Sequence, residues 1–278
     1  MATTEAVLRD RAAWLRREIF DMVMRHRHGH VPSSFSMVEI LVALYYGGVL
    51  RHEPGHPSLA DRDRLIISKG HAAAAVYPIL ADKAYFDRSE LARYTQPGGL
   101  LGMYADRRIP GIETISGSLG HGVGMGAGFA LAARRDGASF KTFVILGDGE
   151  CQEGSIWEAA MFAAHHRLDN LIVVVDRNKL CILGETEVLM GLGDLEAKWR
   201  SFGWQTRAVD GHDPAALIEA FSGAGREGGK PLAIIADTVK GKGVSFMEGR
   251  SEWHNRMPSD ELMRVARQEL GLPVGDEQ

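Results

Sequence analysis

Two short runs of this chain are apolar at nearly every position. Thr142-Phe143-Val144-Ile145-Leu146 ends at Gly147-Asp148-Gly149, and Leu171-Ile172-Val173-Val174-Val175 ends at Asp176-Arg177-Asn178. A strand with one face in water alternates apolar and polar residues, whereas a run without alternation is covered on both faces. Ser155–His166 lies between the two runs with a helical pattern. Strand, helix and strand in that order specify a parallel pair joined by a crossover. The run Leu65-Ile66-Ile67 ends in the same way at Ser68-Lys69-Gly70-His71, and Leu232–Ala236 follows a helix near Pro214–Phe221. The fold class expected is therefore α/β, a mainly parallel sheet with helices on both faces. Ligands of such sheets bind at the carboxyl ends of the strands, and the polar motifs fall there.

Apolar spacing predicts a first helix over about Val7–Arg27, broken by Gly29-His30-Val31-Pro32. Ser36 with Glu39 reads as a capping box before Ile40-Leu41-Val42-Ala43-Leu44. Further helices are expected over Ala72–Lys83 and Leu119–Arg134. With 278 residues, 45% of them hydrophobic, one domain over 1–278 is expected, with a C-terminal tail from about 259. A net charge of −4 provides no basic field for nucleic acid. The apolar runs are too short to cross a bilayer. Met1–Asp10 lacks the apolar stretch of a secretory signal. The two cysteines, Cys151 and Cys181, make no disulfide framework and fit a reducing compartment. The expected location is cytoplasmic.

Asp148 between two glycines presents a carboxylate where the backbone can approach a ligand closely. Asn178 ends the next strand. A carboxylate, an amide oxygen and a nearby carbonyl form a hard-oxygen set that suits Mg²⁺. Gly-Asp-Gly alone is more often a tight turn; its place between two buried strands favours the ligand reading. Gly120-His121-Gly122-Val123-Gly124-Met125-Gly126 has the glycine density of a dinucleotide loop, but no apolar strand precedes it and no ribose-binding acid follows. Close helix packing accounts for those glycines as well. His30, His71 and His254 each follow the end of an element. No His-x-x-x-His or Cys-x-x-Cys spacing points to zinc.

These motifs together resemble the thiamine-diphosphate-binding domain of transketolases, from roughly Leu15 to His254. The residues that carry the resemblance are Gly29-His30 with Ser33-Ser34, Ser68-Lys69-Gly70-His71, Thr114-Ile115-Ser116-Gly117-Ser118-Leu119-Gly120, Gly147-Asp148-Gly149 with Glu153-Gly154, Asp176-Arg177-Asn178-Lys179-Leu180 and Lys240-Gly241-Lys242-Gly243. The resemblance implies that Asp148, Asn178 and the Leu180 carbonyl hold Mg²⁺. It implies that His71, Gly149 and Asn178 contact thiamine diphosphate, with Gly117 and Leu119 lining its pocket. His30 and His254 would be the catalytic histidines facing the reacting centre, and Glu153 the interface glutamate. The implied activity is transfer of a two-carbon ketol unit from a ketose, or its phosphate, to an aldose.

Three departures from the family pattern stand out. Gly102-Met103-Tyr104-Ala105 occupies the place of a histidine-containing stretch, with Tyr104 where a substrate-facing histidine is expected. His121 stands in place of a common Gln, and Pro32 in place of a common Gly. The chain is also less than half the length of a whole transketolase. A second subunit carrying the pyrimidine-binding and C-terminal domains is therefore expected, in a heterotetramer. Glu153, the helix of Trp157 and Gly120–Gly128 are the candidate interface. Two readings stay open beside this one: a specialised enzyme moving the two-carbon unit to a non-sugar acceptor, and a non-catalytic cofactor-binding scaffold.

Overall fold

The computed structural model describes residues 4–225 and 228–274. The described chain runs α1 (Glu5–His26), α2 (Val31–Phe35), α3 (Val38–Tyr46), β1 (Arg64–Ile67), α4 (Tyr77–Asp82), α5 (Gly122–Asp136), β2 (Thr142–Gly147), α6 (Gly154–His165), β3 (Leu171–Arg177), α7 (Thr186–Met190), α8 (Leu195–Ser201), β4 (Gln205–Asp210), α9 (Pro214–Phe221), β5 (Leu232–Asp237) and α10 (Asp260–Glu269). All five strands pair in parallel, in the order β1-β2-β3-β5-β4.

The period-2 side-chain alternation of the strands divides the core in two. Phe143, Ile145, Ile172, Val174 and Ile234 face one way and pack with α1, α3, α4 and α9. Val144, Leu146, Val173, Val175 and Ile235 face the other way and pack with α5, α6 and α8. The placement of the helices follows from crossover handedness. α5, α6 and α8 each lead into the next strand as the sheet grows in one direction. From β4 to β5 the chain steps back, so a right-handed crossover puts α9 on the opposite face.

The structure changes several local expectations. Ser36 does not cap α3, which starts at Val38 without a side-chain cap. Its hydroxyl instead donates to Asp176 at 2.6 Å, and Glu39 binds Arg16 at 2.7 and 2.8 Å. A buried carboxylate's demand for donors outweighs one helix cap. The segment expected to be one helix over Ala72–Lys83 is a 3₁₀ turn over Gly70–Ala75 followed by α4. α5 begins at Gly122 rather than Leu119, because Gly120 sits at φ +88°, outside helical space. The stretch from about 259 carries α10, whose Ala266 packs into the core. Residues 275–278 lie outside the described residues.

The glycines of α5 divide by face. A Cβ added at Gly122 would lie 2.2 Å from Ser68 Oγ, and one at Gly126 would lie 2.6 Å from Val144 Cγ2. At Gly128 an added Cβ meets nothing, and at Gly124 only Ala159 at 4.0 Å. Close helix–sheet packing therefore explains Gly122 and Gly126 but not the outward pair. Gly126→Ala should lower stability by about 1–2 kcal/mol, overpacking outweighing the gain in helix propensity. Gly128→Ala should raise it by up to about 1 kcal/mol. Urea denaturation midpoints of the two variants check this.

Candidate active site

β2 and β3 end side by side, Gly147 pairing with Asp176, and every motif converges on that edge. Asp148 caps the 3₁₀ turn Gly149–Gln152 and is 1% exposed. Its oxygens accept the backbone N–H of Gly149 at 2.9 Å and of Lys179 at 2.6 Å. Burial, followed by the neighbouring Asp176, pushes its pKa up to about 6. Among the described residues no salt bridge reaches it; the Gly149 and Lys179 N–H groups and, more weakly, the Lys69 ammonium favour its charged form. Asn178 is buried, and its amide oxygen accepts from the Leu180 N–H at 3.2 Å. Lys179, at φ 66°, turns the chain between them. Asp148, on the turn after β2, is thus tied to the loop after β3 that carries Asn178 and the Leu180 carbonyl. Among the described residues no group of three or more His, Cys, Asp or Glu side chains is placed to hold a metal ion. The candidate oxygen set contains a single carboxylate.

The structure brings the three histidines together. The His30 ring centroid lies 5.3 Å from that of His71 and 5.1 Å from that of His254, and the last two are 5.2 Å apart. Burial and the Lys240 ammonium lower His30 to a pKa of about 4 and His254 to about 3. Burial, then Lys69, lowers His71 well below its ordinary value. All three are neutral near pH 7. Nδ1 of His30 is buried without a hydrogen-bond partner.

Lys240 joins this cluster to the loop after β3. Its Nζ lies 3.0 Å from His254 Nδ1 and 3.4 Å from the carbonyls of Leu180 and Cys181. Burial and Lys69 bring its pKa down to about 8. Beneath the loop, Asp176 accepts from Lys69, Ser36 and Thr238, and the Lys69–Asp176 ion pair is fully buried. Glu150 turns inward to Ser68 and the N–H of Gly120. Lys69, Asp176 and Lys240 all lie in the motifs singled out above, yet the sequence assigned them no role. A lysine at the end of a buried strand, one of three polar loops meeting there, was the available signal.

Gly117, Leu119 and Glu153 are exposed. Glu153 lies against Gly120, the residue after Leu119: a Cβ added at Gly120 would meet that of Glu153 at 2.8 Å. Tyr104 and His121 are also exposed. Pro32 opens α2, and its carbonyl accepts the Gly241 N–H at 3.0 Å. Beyond Leu180 the loop bears Ile182, Leu183, Val188 and Met190 in water, with Leu183 80% and Val188 77% exposed. Met161 and Phe162 on α6 are exposed as well.

A parallel α/β sheet that gathers a buried carboxylate, an amide oxygen and three histidines at its strand ends has the ligand-binding arrangement of α/β enzymes. Residues 9–276 match the family model of the transketolase thiamine diphosphate-binding domain, and the chain belongs to the transketolase family. It is 41% identical over 271 residues to a 6-deoxy-6-sulfo-D-fructose transketolase subunit of a Clostridium species, covering 97% of this chain and 98% of that one. It is 38% identical over 255 residues to an apulose-4-phosphate transketolase subunit from Phocaeicola vulgatus, covering 92% and 90%. The transketolase crystal structure from Campylobacter jejuni superposes with a TM-score of 0.90 at 30% identity. The chain spans 97% of its own length but only 43% of that protein. Among the described residues no helix is long and apolar enough to cross a membrane.

Because His30 and His254 lie below 6.5 in the folded chain, the unfolded chain binds more protons between about pH 4 and 6.5. Folding stability should therefore fall as pH drops through that window. Urea denaturation at pH 7.5 and pH 5 reads the fall, and His30→Gln should make it shallower.

Proposed function

We propose that the chain is the cofactor-binding subunit of a two-chain transketolase, transferring a two-carbon ketol unit from a ketose, or its phosphate, to an aldose. The observation that carries this reading is the meeting of His30, His71 and His254 beside the Asp148–Asn178 edge. Bound thiamine diphosphate supplies the carbanion stabilisation that such a transfer requires. The residues present fit it. Asp148 is a buried carboxylate with no salt bridge among the described residues, and Mg²⁺ held by Asp148, Asn178 and the Leu180 carbonyl would relieve its desolvation. His71 and the Gly149 N–H would meet the diphosphate. Gly117 and Leu119 would line the pocket, and Glu153 would face the second subunit.

His30 and His254 act on substrate. As neutral imidazoles they can donate to a hydroxyl or take its proton without first losing one of their own. The His30 Nδ1 that lacks a partner in the free chain is available to such a hydroxyl. The second subunit would carry the pyrimidine-binding and C-terminal domains. Two observations support it: near-complete coverage of relatives named as subunits, and exposed apolar side chains next to the site. A pair of each chain, a heterotetramer, is the assembly this reading favours. The two free cysteines suit a reducing, cytoplasmic setting.

Three outcomes are expected. Asp148→Ala should weaken Mg²⁺-dependent binding of thiamine diphosphate by more than about 100-fold, beyond what losing a group behind a ligand costs; calorimetry on the chain measures it. His30→Ala and His254→Ala should lower kcat by about 10²–10⁴ with smaller effects on cofactor affinity. Ketol-transfer assays should find the chain inactive alone and active after mixing with its second subunit. Robust turnover by the purified chain alone would refute the two-chain reading.

A further inference from the structure

Arg16 on α1, Glu39 on α3 and His212 after β4 form one connected unit away from the strand-end cluster. Arg16 Nη1 and Nη2 donate to the two Glu39 oxygens at 2.7 and 2.8 Å. Glu39 Oε2 lies 2.9 Å from His212 Nδ1, and His212 Nε2 lies 2.8 Å from the backbone nitrogen of Val239. An amide N–H can only donate, so Nε2 is the acceptor. The ring proton is therefore on Nδ1, which donates its hydrogen bond to the Glu39 carboxylate. Arg16 reaches the far end of the same turn, its Nε donating to the Lys242 carbonyl at 2.9 Å. The turn Val239–Lys242 is thus gripped at both ends. Its middle is fixed by Gly241, at φ +81°, where an added Cβ would lie 2.6 Å from the Met247 carbonyl oxygen.

Lys240 is the residue this turn presents, 2% exposed. An ammonium is a donor only, so its contact with His254 Nδ1 at 3.0 Å makes that nitrogen the acceptor. The neutral His254 ring then carries its proton on Nε2. We propose that Arg16, Glu39 and His212 are positioning residues: they hold the Val239–Lys242 turn so that Lys240 locks His254 in its Nε2–H tautomer, as a hydrogen-bond donor. This rests on the reading of His254 as a substrate-facing group. None of the three positioning residues touches substrate. They act through the turn, and His212 is the one whose acceptor nitrogen the turn depends on.

The test is long-range ¹H–¹⁵N correlation of the histidine rings in the full ¹⁵N-histidine-labelled chain at pH 7, with the His254 signals assigned by their loss in His254→Gln. The native chain should show His254 as a single Nε2–H tautomer. His212→Ala should give a mixture of tautomers. His212→Gln, whose side-chain carbonyl can replace Nε2 as acceptor for the Val239 N–H, should restore the single form. His212→Asn, which offers a donor near Nδ1 but no acceptor at Nε2, should not. Paired with the second subunit, His212→Ala should lose about tenfold in kcat and His212→Gln should regain most of it. If His212→Ala does not fold, the contrast between the Gln and Asn variants decides. An unchanged single tautomer in His212→Ala would overturn the proposal, as would Gln and Asn variants that behave alike. The tautomer is read on the free chain. A chain that never turns over in any pairing would therefore sink the transketolase reading while leaving this result standing.

Discussion

The buried ion pair between Lys69 and Asp176 is the interaction on which the site depends. Two charges removed from water hold together only when their remaining hydrogen-bonding capacity is filled. Here it is filled from two further segments, α2 with its C-cap and the exit of β5. Ser36 and Thr238 donate to the carboxylate, and the ammonium donates to the Ser33 carbonyl at 2.8 Å. The pair therefore ties α2, the end of β1, the end of β3 and the exit of β5 into one junction. Asn178 stands two residues beyond Asp176, His71 two beyond Lys69, and Lys240 two beyond Thr238. Removing either charge would leave the other uncompensated in the core, which is far more disruptive than replacing both.

The same junction explains the electrostatics above it. Lys69 satisfies Asp176 but still projects positive potential toward the strand ends. Burial does most to keep the three imidazoles neutral, helped by Lys240 and, at His71 and His254, by Lys69. Asp148 feels the opposite influence: Asp176 is close, and burial raises its pKa. One edge of a sheet thus holds a carboxylate of raised pKa and imidazoles of lowered pKa. Neither condition would survive in open solvent, where both groups would return to their ordinary values.

Much of this was legible in the sequence. The four buried strands were readable because burial on both faces leaves no polar position in the run. β4 was not readable. As an edge strand it alternates in no clean way, with Arg207 and Ala208 exposed and Gln205 buried. The Ser36–Glu39 pair satisfied a local capping rule, yet both side chains serve partners far away in sequence. That is the general limit. Asp148, Asn178 and the histidines could be found because they sit in short motifs, whereas Lys69 meets Asp176 across 107 residues and His212 meets Glu39 across 173. Such pairs arise from topology, and no local pattern encodes them.

The loop past Leu180 has a consequence of its own. It is held by main-chain bonds, Thr186 N–H to the Lys179 carbonyl at 3.0 Å and Cys181 N–H to the Gly184 carbonyl at 2.9 Å, while Ile182 and Leu183 are largely exposed. The carbonyl of Leu180 belongs to the same few residues. Any surface that covered those two side chains would therefore stiffen an oxygen of the strand-end site. The entropy lost in ordering the loop would then fall on the association of surfaces rather than on capture of a small ligand, and the ligand would meet a site already rigid.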